Sequence, residues 1–139
     1  ITQTTRSLSA ITWSMYAKPH GFPLIRHNVF FDSDYDSEFT DIFYRKRLPQ
    51  KPTVYICAQD QTDHHLSHPD GERLLCLVNA PASGDHQQPT LSEIESCQEK
   101  SLSLLEHCGL NLSLADATVT RTIPQDFHYL SKLVFNCLG

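Results

Sequence analysis

Between residues 8 and 17 (LSAITWSMYA) the side chains alternate, with Ser9, Ile11, Trp13 and Met15 on one side and Leu8, Ala10, Thr12, Ser14 and Tyr16 on the other. A period of two predicts a strand, covered on the Ile11–Trp13–Met15 side. Residues 24–31 (LIRHNVFF) read as a second strand of mixed pattern, in which Arg26 and Asn28 share a side with Leu24 and Phe30. The period then lengthens. Tyr35, Phe39, Ile42 and Phe43 recur at helical spacing, so residues 34–46 are predicted as an amphipathic helix, with Ser33 and Asp36 as a capping pair at its start. Residues 53–58 (TVYICA) and 74–79 (LLCLVN) are two further strands. The latter is nearly continuous in apolar residues and is expected to be central and covered on both faces. Thr90 and Glu93 form a T-x-x-E capping box ahead of an apolar face of Ile94, Cys97, Ser101, Leu104, Leu105 and Cys108, and Gly109 stands where that helix should stop. Residues 117–123 (ATVTRTI) make a fifth strand, and Pro124 opens a short turn of helix through Phe127. The order β-β-α-β-β-α-β predicts an α+β fold, one mixed or antiparallel sheet of about five strands with two main helices packed on one face.

Length and charge narrow what such a fold can do. The 139 residues suit a single domain spanning 1–139. Sixteen acids against eleven Lys and Arg leave a net charge of −5, which argues against a nucleic-acid partner. The helix at 34–46 is polarised, with Asp34, Asp36 and Glu38 at its start and Arg45, Lys46 and Arg47 at its end. Both groups complement the helix dipole, which accounts for the basic triplet without a nucleic-acid or lipid role. The five glycines (Gly21, Gly71, Gly84, Gly109 and Gly139) are scattered, so no G-x-G-x-x-G or Walker loop can be written. No apolar run reaches the roughly 18–20 residues of a membrane-spanning helix, and no signal-peptide pattern opens the chain. Five cysteines without a C-x-x-C predict reduced, mostly buried thiols and a cytosolic setting.

The candidates for chemistry are few. His64, His65 and His68 have metal-like spacing, but they lie in a polar loop with Asp60, Asp63 and Asp70, and a solvated surface loop accounts for them better than a metal site. His107 and Cys108 are adjacent on a helix and point apart, which is wrong for a nucleophile and its base. Neither G-x-S-x-G nor H-E-x-x-H occurs. The residues alone therefore describe an α+β domain without a self-contained active site.

A longer pattern adds a direction. Gly21-Phe-Pro-Leu-Ile-Arg-His-Asn-Val-Phe-Phe31, then Tyr35, Glu38-Phe39, Arg47-Leu-Pro49, Pro52-Thr-Val-Tyr-Ile-Cys-Ala-Gln-Asp60, Leu77-Val-Asn-Ala-Pro81 and Gly84-Asp85 together resemble carotenoid desaturases of the bacterial phytoene dehydrogenase type. Ser9-Ala-x-Thr-Trp13 and Thr122-x-Pro-Gln-Asp-Phe-His128 are most similar to the hydroxyneurosporene/methoxyneurosporene desaturase branch. The resemblance covers residues 7–130 and departs from the family after Phe127-His128, where a Gly-rich stretch would follow. It implies a much longer, cytoplasmic flavoprotein, peripherally associated with a membrane, that uses FAD to dehydrogenate a C40 polyene. This chain would be its substrate-side domain, inactive alone, with no cofactor of its own. Its partners would be a carotenoid-like polyene and the missing flavin-binding domain, and its exposed seam would favour self-association. Catalytic residues are not specified by the resemblance. Trp13, Met15, Phe30, Tyr55 and Phe127 are nominated to line a polyene tunnel, and Arg26, His27 and Asn28 to orient a hydroxyl or methoxyl end group. An apolar-ligand or protein-interaction domain that has lost the flavin half is the alternative.

Overall fold

The computed structural model describes residues 6–61, 70–114 and 117–137. His64, His65, His68 and Asp63 lie outside them. Five strands form one sheet: β1 (Ser9–Ala17), β3 (His27–Phe30), β4 (Val54–Ala58), β5 (Glu72–Ala80) and β7 (Thr118–Thr122). Their order is β3-β4-β5-β1-β7, and every neighbouring pair is antiparallel. Two short strands, β2 (Pro19–His20) and β6 (Asn111–Leu112), pair separately and have no counterpart in the sequence pattern. The helices are α1 (Tyr35–Phe39), which continues as a π turn over Thr40–Tyr44, α2 (Leu91–His107) and α3 (Pro124–Cys137).

Strand alternation assigns the two faces. Across the sheet Asn28, Ile56, Cys76 and Trp13 form one row, and Phe30, Val54, Val78 and Ile11 the next. All eight are buried. α2 seals this face by adding Ile94, Cys97 and Leu105 to the same core. Its start is the expected capping box: the Thr90 hydroxyl accepts from the Glu93 amide at 3.2 Å, and the Glu93 carboxylate accepts from the Thr90 amide at 2.7 Å. Gly109 follows with φ of 95°, a conformation that favours glycine.

The helix expected over 34–46 is real but turned the other way. It buries Glu38, Asp41 and Ile42, while Tyr35 and Phe43 are exposed. Phe31, Tyr35, Phe39 and Phe43 stand along the outside as an aromatic ladder, with successive centroids 5.5, 5.1 and 6.1 Å apart. The reason is backbone satisfaction. Glu38 accepts from the Thr53 amide and from the Asn79 side chain, both at 3.2 Å, where β4 begins and β5 ends. Asp41 accepts from the Gln50 amide at 3.0 Å, Arg45 at 3.0 Å and Arg47 at 2.8 Å. These amides need acceptors, and carboxylates on the inner side of the helix supply them. Glu38, Arg45 and Arg47 are thus bonding partners rather than dipole complements. The Ser33–Asp36 capping pair does not form either; Asp34 is the N-cap, and its amide bonds the Asp32 carboxylate at 3.0 Å.

The core also sorts the thiols. Burial pushes Cys76 up to about 12 and Cys97 up to about 11, whereas Cys57 and Cys108 are half-buried. In the native protein, iodoacetamide at pH 8 should label Cys57 and Cys108 at least roughly ten-fold faster than Cys76 and Cys97, because only the thiolate reacts. Site-resolved mass spectrometry reads this directly, and equal rates would mean the core is open.

Candidate functional site

The second face of the sheet is built differently. Its rows are Val29, Tyr55, Leu77, Thr12 and Thr122, then His27, Cys57, Leu75, Ser14 and Thr120. Tyr55, Cys57, Leu75 and Leu77 are half-buried, His27 and Ser14 are exposed, and Val29 is 49% exposed. The expectation that 74–79 is covered on both faces is therefore corrected: β5 is central, but Leu75 and Leu77 remain accessible. The β3–β5 half of this face is mostly apolar, and the β1–β7 half carries hydroxyls. The sequence pattern missed Val29, Cys57, Leu75 and Leu77. An alternating count anchored on Ile56 and Cys76 would have exposed them.

The nominated residues divide between the faces. Trp13, Met15 and Phe30 point into the sealed core, Trp13 at 2% exposure, and Phe30 packs edge-on to Phe22 at 5.1 Å. Asn28 lies on the same buried side. Its amide donates to the carbonyls of Ile25 at 2.6 Å and Ile56 at 3.1 Å and accepts from the Ile25 amide at 3.0 Å, so it is committed to the backbone. Arg26 is exposed ahead of β3, where its carbonyl accepts from the Ala58 amide at 2.9 Å. Phe127 sits apart on α3, lining a shallow groove with Arg6, Leu8, Gly84 and Asp85. Only His27 and Tyr55 come together on the open face. Their Nδ1 and Oη atoms are 2.7 Å apart and their rings stack at 6.2 Å. Burial, then hydrogen bonding with Cys57, pushes the Tyr55 phenol above its ordinary value, so it keeps its proton at neutral pH.

Among the described residues no three His, Cys, Asp or Glu side chains gather as metal ligands. No described helix is long and apolar enough to cross a membrane. The described residues also do not fit a dinucleotide. Pyrophosphate binding by this route needs a helix N-terminus with free amides behind a glycine loop. Here each helix start meets an acid of the chain itself: Asp32 at the Asp34 amide, Glu93 at the Thr90 amide and Asp126 at the Ile123 amide, 2.9 Å away. The glycines serve close approaches instead; a Cβ on Gly84 would lie 2.5 Å from the Pro124 carbonyl oxygen, and one on Gly21 would strike that of Gly109.

The described residues thus form an α+β domain whose sheet has one covered face and one open face. Comparison with known proteins says of what kind. The chain is 51% identical over 125 residues to a hydroxyneurosporene desaturase of Rubrivivax gelatinosus, matching 90% of this chain and 24% of that protein. It is 37% identical over 118 residues to a hydroxyneurosporene desaturase of Rhodobacter capsulatus, and 40% identical over 68 residues to a zeta-carotene-forming phytoene desaturase of Myxococcus xanthus. Those two matches cover 85% and 49% of this chain, and 23% and 12% of the relatives. The chain belongs to the carotenoid desaturase family. It spans about a quarter of the length of the hydroxyneurosporene desaturases it matches. No protein-family profile matches it.

Proposed function

We propose that this chain is the substrate-side wall of a carotenoid desaturase, and that the open face of its sheet carries the polyene. The observation that carries this reading is the accessible strip of Val29, Tyr55, Leu75 and Leu77, lying opposite a core fully sealed by α2. An extended hydrocarbon finds there a surface that excludes water along one side, which is what a domain without its own redox group contributes to dehydrogenation. The flavin chemistry belongs to a part of the enzyme outside these residues, so the chain alone positions substrate and does not oxidise it. A parent acting on such a substrate works at a membrane surface.

Trp13 supplies a built-in reporter as the single tryptophan of the chain, one sheet thickness from the strip. Titrating the chain with an acyclic C40 polyene in dilute detergent should quench its emission saturably by energy transfer. Leu77→Gln should weaken that binding about ten-fold, the worth of one apolar side chain's contact, with an unchanged circular dichroism spectrum. Quenching that rises linearly without saturation, or that ignores Leu77, would sink the assignment.

A further inference from the structure

The basic triplet after the π turn has one member that the fold leaves unused. Arg45 and Arg47 both bond the buried Asp41 carboxylate, at 3.0 and 2.8 Å. The ammonium of Lys46, between them in sequence, bonds to no described residue. Among the described residues Lys46 is also the only non-glycine with a positive φ, 54°. A chain leaving a helix often takes that left-handed turn, but glycine takes it without strain and lysine does not. The helix stop explains the conformation; it does not explain why a lysine stands there. A strained residue kept at the wall of a cavity is a pointer to a ligand.

The cavity has a volume of about 130 Å³, and the triplet lines one side of it. The loop 81–89, between β5 and α2, lines another with Ser83, Gln87 and Gln88, whose side chains bond to no described residue either. Each of these three brings a donor. The two guanidiniums converge on one oxygen, Oδ1 of Asp41, so like charges are held side by side, and each keeps N–H groups for a second acceptor. Among the lining residues Glu93 is the one acid, and its carboxylate already accepts from the Thr90 amide. Three cations against Asp41 and Glu93 leave this corner net positive, in a chain whose net charge is −5. At roughly 30 Å³ per water the cavity has room for about four waters, which suits one tetrahedral oxyanion and excludes a nucleotide or a polyene.

We infer that this cavity is an anion site for a phosphate monoester group. Lys46, Arg45 and Arg47 supply the charge, and Ser83, Gln87 and Gln88 supply hydrogen bonds from the other side. Such a group carries close to two negative charges at neutral pH and three strong acceptor oxygens, so it can bond both sides at once, which a carboxylate with two oxygens and one charge does less well. The site shares no residue with the open strip and stands or falls separately from the polyene wall. No covalent step is involved. The same group is offered by a free phosphate compound and by a lipid headgroup.

The test is calorimetric titration of the chain with inorganic phosphate, against sodium chloride at equal ionic strength. Saturable, millimolar binding is expected. Lys46→Gly should weaken it about ten-fold, the worth of a charge-assisted hydrogen bond, without lowering the urea midpoint, because glycine takes the turn more easily. Ser83→Ala leaves the charge unchanged and should weaken it about five-fold. Arg121→Gln removes an exposed cation of β7 and should leave it within about two-fold. Binding that chloride reproduces, or that Arg121→Gln weakens as much as Lys46→Gly does, is diffuse attraction and overturns the site; so does a loss at Lys46 with none at Ser83. Vesicles of phosphatidylcholine carrying phosphatidic acid, compared with phosphatidylcholine alone, identify the source. Lys46-dependent binding to the former supports the site with a lipid headgroup as its ligand, and binding of inorganic phosphate without vesicle binding supports it with a free phosphate compound. Saturable binding of neither overturns it.

Discussion

Trp13→Ala is expected to lower stability by about 3–5 kcal/mol, the range for truncating a large aromatic inside a packed core. Its ring sits in the row Ile56, Cys76, Trp13, so the cavity would open between the sheet and α2, where strands on both sides hold the backbone in place and limit collapse. Small domains have a total margin of about 5–15 kcal/mol, so one substitution removes a large share of it. A milder change separates volume from polarity. Among the described residues the indole N–H has no hydrogen-bond partner. Trp13→Phe loses some contact area but also removes a buried orphan donor, which itself costs about 1–3 kcal/mol, so the net effect should stay within about 1–2 kcal/mol. Tyr55→Ala, two strands away on the opposite face, should cost about 1–2 kcal/mol because its ring is only half-buried. Urea unfolding of the three variants reads the order directly. A Tyr55→Ala cost equal to that of Trp13→Ala would mean that the second face is covered as tightly as the first.

The second large effect is at Asp41, whose carboxylate is 1% exposed and holds the Gln50 amide, Arg45 and Arg47 in one cluster. Burial alone would raise its pKa. The Gln50 amide and the two guanidiniums more than offset that and hold the carboxyl below the usual range. A carboxyl with a depressed folded-state pKa contributes stability that is present above the unfolded value of about 3.9 and is lost as the pH falls through the folded value. Asp41→Asn should therefore cost about 2–3 kcal/mol at pH 7. The cost falls below the buried-pair range of about 3–5 kcal/mol because Arg45 and Arg47 are themselves 56% and 45% exposed and screened by water. Below about pH 4 the gap between the parent and the variant should narrow as the parent protonates. Urea midpoints measured from pH 3 to 7 test both parts; a gap that stays constant with pH would assign the cluster to shape rather than charge.

Asp41 also illustrates where sequence reasoning stopped. The 3.6-residue recurrence of Tyr35, Phe39, Ile42 and Phe43 correctly marks a helix, but it points to an aromatic face as the buried one. Two backbone amides, of Gln50 and Thr53, needed acceptors at the sheet's end, and only the acidic side of the helix could provide them. Nothing in the spacing of residues 34–46 reveals a demand that arises at residues 50–53. In the same way, LLCLVN reads as uniformly buried because both faces of β5 are apolar; that α2 lies against Leu74, Cys76 and Val78 and leaves Leu75 and Leu77 accessible depends on helix packing. The motif that drew Arg26, His27 and Asn28 together as one polar group is split by the pleat: Asn28 faces inward and His27 outward.

The sequence by itself determined the main elements and the kinship, though not β2, β6 or the run of α3 beyond Phe127: the alternation of β1, the capping box of α2, the stop at Gly109 and the extended match to carotenoid desaturases are all local or linear information. The tertiary structure alone decided which faces are covered. Strand pairing joins residues as distant as Thr12 and Thr122, and the choice of a covered face depends on the helix that settles on it. A strand's period of two says that its side chains divide into two sets, but the sets are exchangeable until something is packed against one of them. That packing put Trp13, Met15 and Phe30 in the core and left His27 and Tyr55 together at the surface.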